Sequence, residues 1–164
     1  MRAMNTEAEQ PRRIAVGEAV PDWQMTADDG TSLSAGELAG QRYVLYFYPK
    51  DDTPGCTTQA CSLRDNFSRV TDTGVSVFGV SPDSVVSHQK FRAKYDLPYR
   101  LLSDAEHQAA EAFGVWVLKK FAGREYFGNE RTTFVIGPDG KVERVLPQVK
   151  PDAHVDQLLE ALAA

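Results

Sequence analysis

The chain has 164 residues, 42% of them hydrophobic, which supplies one compact core and leaves no room for a second independent domain. Its net charge of −5 arises from 23 acidic and 18 basic residues, and the basic ones are scattered, which argues against a nucleic-acid or anionic-membrane binder. No run approaches the roughly 18 apolar residues that span a bilayer, so a soluble, cytoplasmic protein is expected.

Residues 1–13, MRAMNTEAEQPRR, mix both charge signs without the apolar segment of a secretory signal, and they read as a flexible tail before a single domain over 14–164. Trp23 to Thr26 and the segment after Asp29-Gly30 suggest a hairpin, because Asp-Gly tolerates the positive dihedrals of a tight turn. Tyr43 to Tyr48, YVLYFY, is too short for a buried helix and is bounded by Pro49, so it reads as a central strand. Thr53 can N-cap the next helix with Pro54 at its first position, and Leu63, Phe67 and Val70 continue the helical spacing to Thr73-Gly74.

Val75 to Val80 predicts a strand, Pro82 opens a helix carrying Val85, Val86, Phe91 and Tyr95, and Leu101-Leu102 marks a short strand. Ala105 to Phe113 predicts a helix, Thr132 to Ile136 and Lys141 to Leu146 two strands around a Gly137–Gly140 turn, and Asp152 to Ala163 an amphipathic helix. Together these elements predict an α/β fold with a mixed β-sheet flanked by helices.

The chemistry lies in CTTQAC. Cys56 and Cys61 are the only cysteines; a bridge closing so short a loop would remove little unfolded-state entropy, and two thiols alone cannot complete a four-ligand zinc site. Placed in the first turn of a helix, Cys56 faces unpaired N–H groups and the positive end of the helix dipole, both of which favour a thiolate. Thr53 adds a hydroxyl, Pro54 shields one side and Gly55 permits close approach to the backbone, so the site suits a small substrate.

From Pro49 to Cys56 the sequence PKDDTPGC resembles the peroxiredoxin pattern of Pro, three residues, Thr, two residues, Cys. The longer segment YFYPKDDTPGCTTQACSLRDNF, FGVW at Phe113 to Trp116 and RTTFVIGPDGKV from Arg131 are similar to the bacterioferritin-comigratory, or Q-type, peroxiredoxins. That resemblance implies a thioredoxin-like fold, reduction of hydrogen peroxide and organic hydroperoxides, recycling by thioredoxin or a similar dithiol, and no cofactor. Position by position it implies Cys56 as peroxidatic cysteine, Thr53 as the hydroxyl on the peroxide, Pro49 as a shield, Arg131 as the guanidinium near the thiolate, and Cys61 as resolving cysteine.

Five residues along a helix is a rise of about 7.5 Å, so the two sulfurs cannot meet until the helix opens. An ordinary thiol is ~3% ionised at pH 7, and complete ionisation therefore gains at most roughly 30-fold. The larger share of a peroxidase rate must come from donors on the breaking O–O bond, with Thr53, the Cys56 N–H and Arg131 as candidates.

Other readings stay open at this point: Cys61 as a bystander with recycling by an external thiol, a disulfide oxidoreductase, or a redox sensor. An internal resolving cysteine favours a monomer. His88, His107 and His154 lie among polar residues and read as solvent-facing, with no metal site implied. Trp23, Trp116 and the tyrosines read as core, and Lys119, Lys120 and Arg124 as a small basic patch.

Overall fold

A computed structural model describes residues 12–163. Strands β1 (Gln24–Ala27) and β2 (Ser32–Ser34) form the hairpin expected at Asp29-Gly30, with Gly30 at φ 88 in the turn. β3 (Tyr43–Phe47) is buried at every residue and leads into α1 (Pro54–Asp65), α2 (Phe67–Thr71), β4 (Ser76–Ser81), α3 (Val85–Tyr95) and β5 (Arg100–Ser103). After α4 (Gln108–Phe113), strands β6 (Trp116–Phe121) and β7 (Arg124–Asn129) form a separate hairpin, and β8 (Thr132–Ile136), β9 (Val142–Leu146) and α5 (His154–Ala163) close the chain.

Seven strands form one sheet in the order β2-β1-β5-β4-β3-β8-β9, with β3, β4 and β5 parallel and the other pairings antiparallel. Side chains alternate across a strand, so Tyr43, Leu45 and Phe47 enter one core with Trp23, Phe113 and Phe134. Val44, Tyr46 and Tyr48 enter the other, beneath Cys56, Leu63, Phe91 and Leu158 from α1, α3 and α5. Burial on both faces accounts for the continuous apolar run. Of residues 1–13, the first eleven lie outside the described residues; Arg12 pairs with Glu18 at 2.9 Å, and Arg13 with Glu130 at 2.8 Å.

Several expectations are corrected. The helix expected to run to Thr73 breaks at Asn66 (φ −118, ψ 19), whose side-chain amide donates to the Ser62 carbonyl at 2.9 Å and competes with the helical ladder. The helix expected from Pro82 starts at Val85, capped by the Ser84 hydroxyl accepting from the Ser87 N–H at 3.1 Å. The helix expected from Ala105 starts at Gln108, because the Asp104 carboxylate accepts from the N–H groups of Ala109 and Ala110 at 3.0 and 2.9 Å. The β6–β7 hairpin is not signalled by the sequence pattern: its turn is Ala122-Gly123, with both residues left-handed (φ 53 and 78), instead of the usual Asn-Gly.

Candidate active site

Cys56 is the third residue of α1, as the Pro54 signal predicts, and is 2% exposed. The expected Thr53 side-chain cap is not made: Thr53 holds the N-cap position (φ −98, ψ 157), but its hydroxyl donates to the Lys50 carbonyl at 2.9 Å. The first-turn N–H groups are thereby left without a side-chain cap, and the Thr53 hydroxyl keeps its lone pairs to accept a further hydrogen bond.

Arg131 immediately precedes β8, and its Nη1 lies 3.4 Å from the Cys56 sulfur while donating to Gln59 Oε1 at 2.6 Å. A Cβ on Gly55 would come within 3.2 Å of Arg131 Nη2 and 3.4 Å of Pro151, so this glycine makes room for the guanidinium. Sequence separations of 75 and 72 residues hide both contacts from local pattern reading. Pro49 follows Tyr48, whose carbonyl accepts from the buried Asn129 amide at 3.1 Å. Cys61 lies on the same helix, half-buried, and both cysteines are free.

The active-site loop is tied to α3. Asp51 accepts from the Tyr48 hydroxyl at 2.5 Å and from Ser87 at 2.8 Å and lies 2.7 Å from His88 Nδ1, while His88 Nε2 lies 3.0 Å from the Leu102 carbonyl. Asp52, at φ 58, pairs with Lys94 at 2.8 Å and Tyr95 at 2.9 Å. Asp51, Asp83 and His88 bring three potential metal ligands within 4.8 Å, but their facing atoms are occupied by one another, by Ser81 and Ser87 and by the Asp51 N–H. This cluster serves the loop's geometry.

The expected exposure of the histidines is overturned at two positions. His88 and His154 are fully buried, because each finds polar partners for both ring nitrogens inside the core. His154 contacts Gln59 at 3.1 Å and Thr133 at 2.9 Å, and burial, followed by the nearby Arg131 charge, pushes it down to about 4. His107 is partly exposed and stacks on Trp116 with centroids 4.1 Å apart. Lys119 is half-buried; burial first, then Arg131, lower its ammonium below the ordinary range, while Cys56 and Glu130 oppose the shift. Gln59, His154, Asn129 and Lys119 are thus neighbours of the site that residue-by-residue reading does not single out.

No helix among the described residues is long and apolar enough to cross a membrane. Residues 16–145 match the AhpC/TSA family. The chain is 45% identical to peroxiredoxin Bcp of Bacillus subtilis over 149 residues, covering 91% of this chain and 95% of that protein. It is 42% identical to peroxiredoxin Bcp of Escherichia coli K12 over the same length, covering 91% and 96%. Among solved structures, the Xanthomonas campestris bacterioferritin comigratory protein superposes with a TM-score of 0.81 at 36% identity, covering 86% of this chain and 90% of that one. A cysteine-to-serine mutant of Xylella fastidiosa PrxQ gives 0.86 at 31% identity, covering 93% and 97%. With its helix-borne thiol beside a guanidinium on a mixed sheet of the thioredoxin-like type, the chain belongs to the AhpC/TSA family and, within it, to the Bcp or Q-type peroxiredoxins, which are thiol peroxidases.

Proposed function

We propose that Cys56 reduces hydrogen peroxide and organic hydroperoxides and that Cys61 resolves the product. The Cys56 thiolate attacks one peroxide oxygen: an S–O bond forms, the O–O bond breaks, and the leaving alkoxide or hydroxide takes a proton to depart as alcohol or water. Cys61 then attacks the sulfenic sulfur, a disulfide forms, and water leaves. Thioredoxin or a similar dithiol returns both sulfurs to thiols and is itself oxidised.

The observation that carries this reading is the 3.4 Å approach of Arg131 Nη1 to the Cys56 sulfur at the first turn of α1. A cation and uncapped N–H groups converging there suit both an anionic sulfur and the charge that develops on the departing oxygen. Thr53 accepts from the peroxide hydroxyl, and Pro49 screens the sulfur from bulk water. The reduction of alkyl peroxides named for the X. campestris relative supports the organic substrates.

One measurement tests the scheme: the reduced protein is mixed with one equivalent of peroxide, the disulfide is located by mass spectrometry, and turnover is then followed with a thioredoxin system. A Cys56–Cys61 disulfide and sustained turnover are expected; unreacted thiols would refute it.

A further inference from the structure

We propose that His154 is a positioning residue for the attack on peroxide, fixing the Arg131 guanidinium against the Cys56 sulfur through Gln59. The inference rests on the peroxidatic role of Cys56.

Gln59 follows Cys56 by three residues on α1, so both side chains leave the helix on one face, and Gln59 is fully buried. A guanidinium offers donors only, so the amide atom 2.6 Å from Arg131 Nη1 must be the oxygen. Gln59 Nε2 therefore faces His154 Nδ1 at 3.1 Å, and that ring nitrogen must be a bare acceptor. The ring proton sits on Nε2 and is donated to the Thr133 hydroxyl at 2.9 Å. One assignment satisfies the whole chain of hydrogen bonds, and it requires a neutral His154 in a single tautomer.

Arg131 Nη1 carries two hydrogens and serves two acceptors, the Cys56 sulfur and Gln59. If the Gln59 amide turned over, its NH2 would meet Nη1 donor to donor and the guanidinium would swing away from the sulfur. His154 with a bare Nδ1 opposes that turn, because only the amide nitrogen can donate to a bare ring nitrogen. Thr133, on β8 two residues after Arg131, supplies the acceptor for the Nε2 proton in this tautomer. An uncharged acceptor at position 59 also holds Arg131 without neutralising the cation, which a carboxylate would do.

The test compares two reagents on the reduced protein. Peroxide oxidation reads the oriented donors, whereas iodoacetamide alkylation reads thiolate and access alone. With His154→Leu, the second-order rate with peroxide should fall ~10–100-fold, as for loss of an outer partner that orients an essential group, and alkylation less than ~3-fold. His154→Asn keeps an acceptor oxygen facing Gln59 and should recover most of the loss. Should His154→Leu fail to fold, Thr133→Val, which leaves the Nε2 proton without its acceptor and so weakens the hold on the ring, should show the same split at several-fold. Wild-type peroxide rates in a folded variant, equal losses with both reagents, or no recovery in His154→Asn would overturn the inference. A wild-type protein inert to peroxide would instead overturn the function itself.

Discussion

Cys61 follows Cys56 on one unbroken helix, α1, with Cys56 buried and Cys61 half-buried. The five-residue separation is a rise of about 7.5 Å, while a disulfide needs sulfurs about 2 Å apart. Resolution by Cys61, as proposed, therefore requires α1 to open, and Gln59, between the two cysteines, then leaves Arg131 and His154. Amide exchange over residues 54–65 should be faster in the disulfide form than in the dithiol form. Equal protection in both would show that the helix does not unwind. Cys61→Ser treated with one equivalent of peroxide should hold a sulfenic acid at Cys56 and no intramolecular disulfide.

Arg131→Met removes the only side-chain donor on the Cys56 sulfur among the described residues. If the guanidinium served ionisation alone, peroxide oxidation and alkylation would fall by the same factor, because each consumes the thiolate; for a thiol returned to the ordinary range that factor is roughly 30-fold at pH 7. A donor aimed at developing charge contributes ~10²–10³-fold, and the peroxide rate should fall by that much. Alkylation by iodoacetamide should fall less than ~30-fold. Parallel losses with the two reagents would restrict Arg131 to the thiolate.

Patterns confined to neighbouring residues are legible in the sequence. The YVLYFY run, the Pro54 start and the turn at Asp29-Gly30 report local sterics and burial, and each reappears in the fold. What stays hidden depends on distant partners. His154 reads as a polar helix residue until Gln59 and Thr133, 95 and 21 residues away, meet its two ring nitrogens. Thr53 reads as a cap because its type and place fit, but the Lys50 carbonyl competes for its hydroxyl proton. Arg131 reads as a strand-end cation, and only the family resemblance links it to Cys56; its 3.4 Å contact comes from the pairing of β8 with β3.

Burial of His154 makes stability depend on pH. Its value of about 4 in the folded protein lies below the ordinary 6.5, so above pH 6.5 the ring is neutral in both states and nothing is lost. As pH falls from 6.5 to 4 the unfolded chain binds a proton that the folded chain does not, and about 3 kcal/mol of stability disappears. Burial raises the Asp104 carboxyl, which acts in the opposite sense, so total stability alone does not isolate the effect. Urea unfolding of wild type and His154→Asn across this range should show a shallower acid loss in the variant. Identical slopes would mean that His154 accepts a proton in the folded state as readily as in the unfolded one.

Gly55→Ala should separate stability from activity. Gly55 lies in the first turn of α1, where an alanine costs less backbone entropy, and the gain is at most about 1 kcal/mol. The added Cβ meets Arg131 Nη2 at 3.2 Å and Pro151 at 3.4 Å, closer than such contacts ordinarily settle. The guanidinium is the more mobile neighbour and must shift by a few tenths of an ångström. Any such shift disturbs the bonds to the Cys56 sulfur and to Gln59 together, since one nitrogen of the same rigid guanidinium serves both. Thermal unfolding should therefore move up or stay level while the peroxide rate drops several-fold, the reverse of what a merely destabilising change produces. A variant less stable yet fully active would show that the strain is taken by the helix backbone and that the position of Arg131 tolerates the displacement.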